Sequence, residues 1–196
     1  MPDLVSESAF ARLRSTVSGD GVVAMERVGL TIATVMVRRG KWAELSGAVR
    51  NLFGIELPTG ATWVAKDGVA FLGTGPGKWL AMDDKHGTAF VQTLETKLQG
   101  LASVVEQSGG LGVLRLAGPA LPETLEKGVQ IDLAPGAFPV GSVAVTSIAH
   151  IGVTLWKVDA APTIEIAVAR SLAGSFFHWL ELSASAHGLS KQHRPD

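Results

Sequence analysis

The apolar residues from Val22 onward follow one order of patterns (strands, helix, strands, helix, strand), and after residue 108 that order begins again. VVAMERV (22–28) and LTIATVMV (30–37) are rich in β-branched residues and read as strands about a Gly29 turn. KWAELSGAVRNLFG (41–54) puts Trp42, Leu45, Val49, Leu52 and Phe53 on one helical face, with Gly54 where a helix stops. ATWVA and VAFL flank the turn KDG, and KWLAM adds a strand. HGTAFVQTLETKLQGL (86–101) repeats the helical period, and ASVVEQS (102–108) closes the set. The second set opens with the strand LGVLRLAG (111–118) and the short helix PALPETLEKG (119–128), with Pro119 in its first turn. Three strands follow, at 142–150, 151–159 and 163–169. A last helix spans 171–188, with Ser171 as its expected cap.

This order predicts an α+β protein of two ferredoxin-like lobes, each mainly antiparallel sheet with packed helices. Strict strand–helix alternation, the mark of a doubly wound parallel sheet, is missing. The expected divisions are an arm at 1–20, a first lobe at 21–108, a second at 109–188 and a polar tail at 189–196. The arm is expected to hold one helical turn, SESAFARL, capped by Ser6 or Ser8. Between the short helix and the later strands runs GVQIDLAPGAFPVG (128–141), whose glycines and prolines define a path around Asp132.

Hydrophobic residues make up 46% and charged residues 18% of the chain, and its mean hydropathy is +0.28. That is more apolar than an average domain, and it suggests surface hidden against a partner. The net charge is −1 and no basic run occurs, so nucleic acid is not an expected partner. The absence of cysteine excludes disulfides, thiolate nucleophiles, Cys-ligated zinc and iron–sulfur clusters. No secretory signal and no apolar run of about 20 residues is present. The expectation is a cytoplasmic protein without a membrane partner.

The motifs yield no reaction. GTGPGKW (73–79) is too short for a phosphate loop and has Trp79 where the magnesium-binding hydroxyl belongs. As a dinucleotide motif it puts Lys78 at the third glycine. It reads as a turn. The five histidines, His86, His150, His178, His187 and His193, form no HxxxH pair. His150 lies at a strand junction and Asp132 in a turn; both are weighed as catalysts and both read as structural. Trp42 and Trp179 fall on helical apolar faces and read as core, while Trp63, Trp79 and Trp156 lie in strands and are interface candidates.

The run EQSGGLGVLRLAGPALPETLEKGVQIDLAPGAFPVGSVAVTSIAHIGVTLWKVD (106–159) resembles the gamma subunits of heterotetrameric sarcosine oxidases. So do LPTGATWVAKDGVAFLGTGPGKWLAM (57–82) and IEIAVARSLAGSFFHWL (164–180). That family is similar to the folate-binding aminomethyltransferases. The resemblance implies a complex that oxidatively demethylates sarcosine, with tetrahydrofolate as one-carbon acceptor and release of glycine and hydrogen peroxide. It implies alpha, beta and delta subunits as partners. FAD, FMN, NAD, zinc and tetrahydrofolate are implied for those partners, and no cofactor for this chain. Aminomethyltransferases use an aspartate in a later strand region, whereas IAHIGVTLW (148–156) contains no carboxylate. The implication is a lobe that keeps the fold without the chemistry: no catalytic, cofactor-binding or metal residue in this chain. The alternatives are a gamma subunit acting on another N-methyl amino acid, or an independent folate-binding or one-carbon-transfer protein. The last would draw on Asp132 and on Arg115 or Arg170.

Overall fold

The computed structural model describes residues 8–10 and 19–192. The expected capping by Ser6, most of the SESAFARL turn, and His193 lie outside the described residues. The elements run β1 (Val22–Glu26), β2 (Thr31–Val37), α1 (Trp42–Phe53), β3 (Trp63–Lys66), β4 (Val69–Gly75), β5 (Lys78–Asp83), α2 (Thr88–Lys97) and β6 (Ala102–Glu106). They continue with β7 (Leu111–Ala117), α3 (Leu121–Glu126), β8 (Val143–Ile148), β9 (Ile151–Lys157), β10 (Ile164–Ala169), α4 (Ala173–Ser183) and β11 (Leu189–Gln192). Among the described residues no helix is long and apolar enough to cross a membrane.

The repeated order in the sequence is a repeated topology. One sheet has the order β3-β4-β5-β2-β6 and the other β11-β1-β7-β10-β9-β8. Read from the opposite end, the second follows the first strand for strand, except that β1 is inserted between β7 and β11. The pairings are antiparallel throughout, save β1 with β11. Each half is therefore a ferredoxin-like α+β unit, as expected.

Three details of the sequence-based reading are corrected. β1, assigned to the first half, pairs with β7 and β11 of the second. The tail expected to be frayed contributes β11, whose Leu189 is buried. The reason is physical. Val22 and Ala24 complete the apolar face under α3 and α4, while SKQ is polar because β11 is an edge strand with little to bury. The last helix is also shorter than expected. A 3-10 turn (Arg170–Leu172) takes its first residues, and Ser171 makes no side-chain cap.

Side-chain alternation stacks the sheets in four layers. In the first sheet, Ala33, Val35, Phe71, Trp79 and Ala81 point outward to Leu45, Val49, Phe90 and Leu94 of α1 and α2. In the second, Leu114, Leu116, Ile164, Ile166 and Val168 point outward to Leu121, Leu125, Phe176 and Leu180 of α3 and α4. The opposite faces meet. Ile32, Leu72, Leu80 and Met82 pack against Val113, Val143, Trp156 and Ala167. Because both faces of each sheet are covered, strands such as β4 and β10 are apolar at consecutive positions.

This architecture sorts the tryptophans: Trp179 packs against the second core as expected. Trp79 and Trp156 are fully buried in the core, whereas Trp42, expected inside, is 38% exposed at the start of α1. GTGPGKW forms the β4–β5 turn with a register irregularity between Gly73 and Gly75. A Cβ on Gly73 would lie 2.0 Å from the Gly60 carbonyl oxygen, so this strand position tolerates only glycine. The elbow 128–141 drops Phe138 into the second core and ends beside β3, where the Gly141 carbonyl accepts from Trp63 N–H at 2.9 Å.

Candidate functional site

Charged residues interrupt the apolar contact between the sheets at one end. Glu165, almost wholly buried on β10, lies directly across from Arg115 on β7. Both face the other sheet, because the alternate residues Leu114, Leu116, Ile164 and Ile166 face the helices. Arg27, just past β1, brings Nη1 to 2.6 Å from Glu165 Oε1 and Nη2 to 3.3 Å from Asp84 Oδ2. Arg115 Nη1 stands 3.9 Å from the same Glu165 oxygen. One guanidinium thus bridges a carboxylate of each lobe.

Beside this cluster opens a cleft of ≈ 840 Å³ where the chain passes between the sheets, lined by Glu26, Arg27, Ser108, Gly109, Gly112 and Arg170 among others. Its polar groups are turned on one another. Glu26 accepts from Ser8 Oγ at 2.8 Å and from Phe10 N–H at 3.2 Å. Ser108 Oγ accepts from Ile32 N–H at 3.0 Å. Such mutual pairing within each half leaves little charge to polarise a substrate.

Of the sequence-derived candidates, Arg115 falls in the ion cluster and Arg170 on the cleft wall; Asp132 and His150 are not among the described residues that line it. Asp132 Oδ1 accepts from Ala134 N–H at 2.8 Å, a local turn bond. His150 is exposed in the two-residue β8–β9 turn, where Ala149 and His150 have φ of 49° and 66°. Both positions are left-handed, as the tightest hairpins require.

The sequence reading missed Arg27, Asp84 and Glu165. A signal existed for Glu165, a lone charge in the apolar strand TIEIAVA. It also missed Asp83, buried at the end of β5. Asp83 Oδ2 accepts from Lys85 N–H at 3.1 Å and His86 N–H at 2.5 Å, and Oδ1 meets His86 Nδ1 at 2.7 Å. Burial works to raise this carboxyl's pKa. The bond from the His86 ring, the two backbone bonds and the His86 charge together outweigh burial and hold it below its ordinary value.

A carboxyl depressed in the folded state stabilises the fold above its unfolded pKa, and that stability disappears as pH falls through the folded value. Asp83→Asn is therefore expected to cost about 1–3 kcal/mol at pH 7. The gap to wild type should narrow as pH drops below ~4, where the wild-type carboxyl also loses its charge. Urea unfolding of both proteins across pH 3–7 checks this. A gap that is constant with pH would show that Asp83 acts through shape alone.

A family model described as the sarcosine oxidase, gamma subunit family matches residues 39–187. The sarcosine oxidase subunit gamma of Corynebacterium sp. (strain U-96) is 32% identical over 152 residues, 76% of this chain and 73% of that protein. The subunit of the same name from Arthrobacter sp is 35% identical over 105 residues, 53% of this chain and about half (51%) of that protein. Among solved structures, a chain of the heterotetrameric sarcosine oxidase from Corynebacterium sp. U-96, in complex with pyrrole 2-carboxylate, superposes with a TM-score of 0.80 at 29% identity. The match covers 93% of this chain and 96% of that one. Aminomethyltransferase T of the glycine cleavage system from Bartonella henselae matches with a TM-score of 0.59 at 11% identity, over 89% of this chain and 48% of that one, and shares the fold.

Proposed function

The chain belongs to the sarcosine oxidase gamma subunit family, and on that premise we propose that it is the gamma subunit of a heterotetrameric enzyme that oxidatively demethylates sarcosine. In this reading tetrahydrofolate accepts the one-carbon unit, and glycine and hydrogen peroxide leave. Alpha, beta and delta subunits carry FAD, FMN, NAD, zinc and tetrahydrofolate, and the complex works in the cytoplasm. The two sheets with their helices are two lobes of a scaffold that lends shape to the complex and carries no reacting group.

The observation that carries the reading is the end-to-end likeness to a chain of a heterotetrameric sarcosine oxidase, over 93% of this chain. The mutual pairing of Arg27, Asp84, Glu165 and Arg115 supports a structural role for the most polar part of the interior. Co-expression with and without the alpha, beta and delta subunits tests it, reading subunit stoichiometry and sarcosine-dependent hydrogen peroxide. The expected result is co-purification at equal stoichiometry, with far less assembled enzyme when this chain is left out. A chain that stays monomeric beside the others overturns the reading. Stoichiometric tetrahydrofolate binding by the lone chain favours one-carbon transfer instead. Other N-methyl amino acids, assayed in parallel, assign the substrate.

A further inference from the structure

Away from the cleft between the sheets, the first lobe has a second concavity, ≈ 380 Å³, between the end of α1, the β3–β4 turn and the start of α2. Its floor is apolar and fixed. Phe90 and Val69 are buried, and Phe53 packs against Phe90 and Phe71 with ring centroids 5.8 and 6.0 Å apart. Its rim carries Lys66, Asp67 and His86. The Lys66 side chain is exposed and makes no hydrogen bond or ion pair among the described residues. His86 is held differently. Its Nδ1 is committed to buried Asp83 at 2.7 Å, so Nε2 is the atom left for a ligand. A ring oriented by a buried carboxylate at the mouth of a concavity is pre-organised for recognition.

We infer that this concavity binds a small organic monocarboxylate with an apolar body. The carboxylate pairs with Lys66 Nζ and accepts a second hydrogen bond from His86 Nε2–H of the imidazolium, whose Nδ1–H is given to Asp83. The body lies on Phe53, Phe90 and Leu52. The volume falls within the range of small-molecule sites. Asp67 on the same rim repels a second carboxylate, which selects monoanions over diacids. Nothing in the proposed subunit role requires this site.

Phenylacetate is the probe, with phenylacetamide as its neutral isostere and phenylmalonate as its dianion, titrated calorimetrically into the full chain and into the complex it purifies with, and followed as well through the His86 ring resonances wherever His86 is present. Phenylacetate is expected to bind at least tenfold more tightly than either analogue and to shift the His86 signals. Lys66→Met should weaken it at least tenfold. Lys66 is exposed, so the variant keeps the fold. His86→Gln, which removes the oriented ring while keeping a polar side chain, should weaken it several-fold. Equal binding of phenylacetate and phenylacetamide overturns the inference, as does an affinity within twofold of wild type in Lys66→Met. So does a probe that binds the chain but is excluded from the complex, which would make the concavity a seat for a partner's side chain.

Discussion

Glu165→Ala is expected to destabilise the protein by about 3 kcal/mol, toward the lower end of the cost of breaking a buried ion pair. The Glu165 side chain is 4% exposed and that of Arg27 24%. Removing the carboxylate leaves Arg27 with Asp84 alone, at 3.3 Å and in a wetter position, and leaves Arg115 without its cross-strand partner. Asp84 keeps the loss from reaching the top of the range. The pair's worth relative to no pair is a separate matter, since both ions were desolvated to form it. Replacing Arg27 and Glu165 together by Met and Leu should therefore recover most of the loss. Urea unfolding of the three proteins reads both effects. If the double variant is as unstable as Glu165→Ala, the cluster positions the lobes in a way that packing cannot replace.

The ion cluster also shows where sequence reading stops. Repetition of the element order was legible because each strand and helix carries its own period, and a second copy confirms the first. The insertion of β1 was not, since VVAME would complete either sheet; only the contact of Val22 and Ala24 with Leu114 and Leu116 decides it. Positive hydropathy suggested a surface hidden against a partner. Four layers supply a simpler cause, because sheets covered on both faces need apolar residues at nearly every strand position. Asp132 and His150 drew attention through their neighbours in sequence, and both sit in turns. The groups that do converge, Arg27, Asp84, Arg115 and Glu165, come from segments up to 138 residues apart, and no local spacing encodes such a meeting. Asp83 and His86 are three residues apart, and their pairing was legible in principle as an acid at a strand end followed by a histidine one turn later.

Trp79→Ala is expected to be more damaging still, at about 5 kcal/mol. Truncating a fully buried tryptophan costs ~3–5 kcal/mol through lost burial and the cavity left behind. Here the indole N–H also donates to the Pro58 carbonyl at 2.9 Å inside the protein, and orphaning that oxygen adds ~1–3 kcal/mol. For a chain of this size the melting temperature should fall by roughly 10–20 °C. Trp79→Phe separates the two contributions, since it keeps an aromatic ring and loses the bond. Trp42 provides the contrast. Its ring stacks on Trp79 with centroids 5.4 Å apart but is 38% exposed. Trp42→Ala should therefore cost only about 1 kcal/mol, near the worth of an aromatic pair. The sequence pattern put Trp42 inside and left Trp79 a candidate for an interface without assigning it there. An interface residue would leave the lone chain stable and weaken only its association with partners. Melting the lone chain and measuring subunit retention in the same variants distinguishes the two. A Trp79→Ala chain that melts near wild type yet fails to assemble would move Trp79 from the core of the first lobe to its surface.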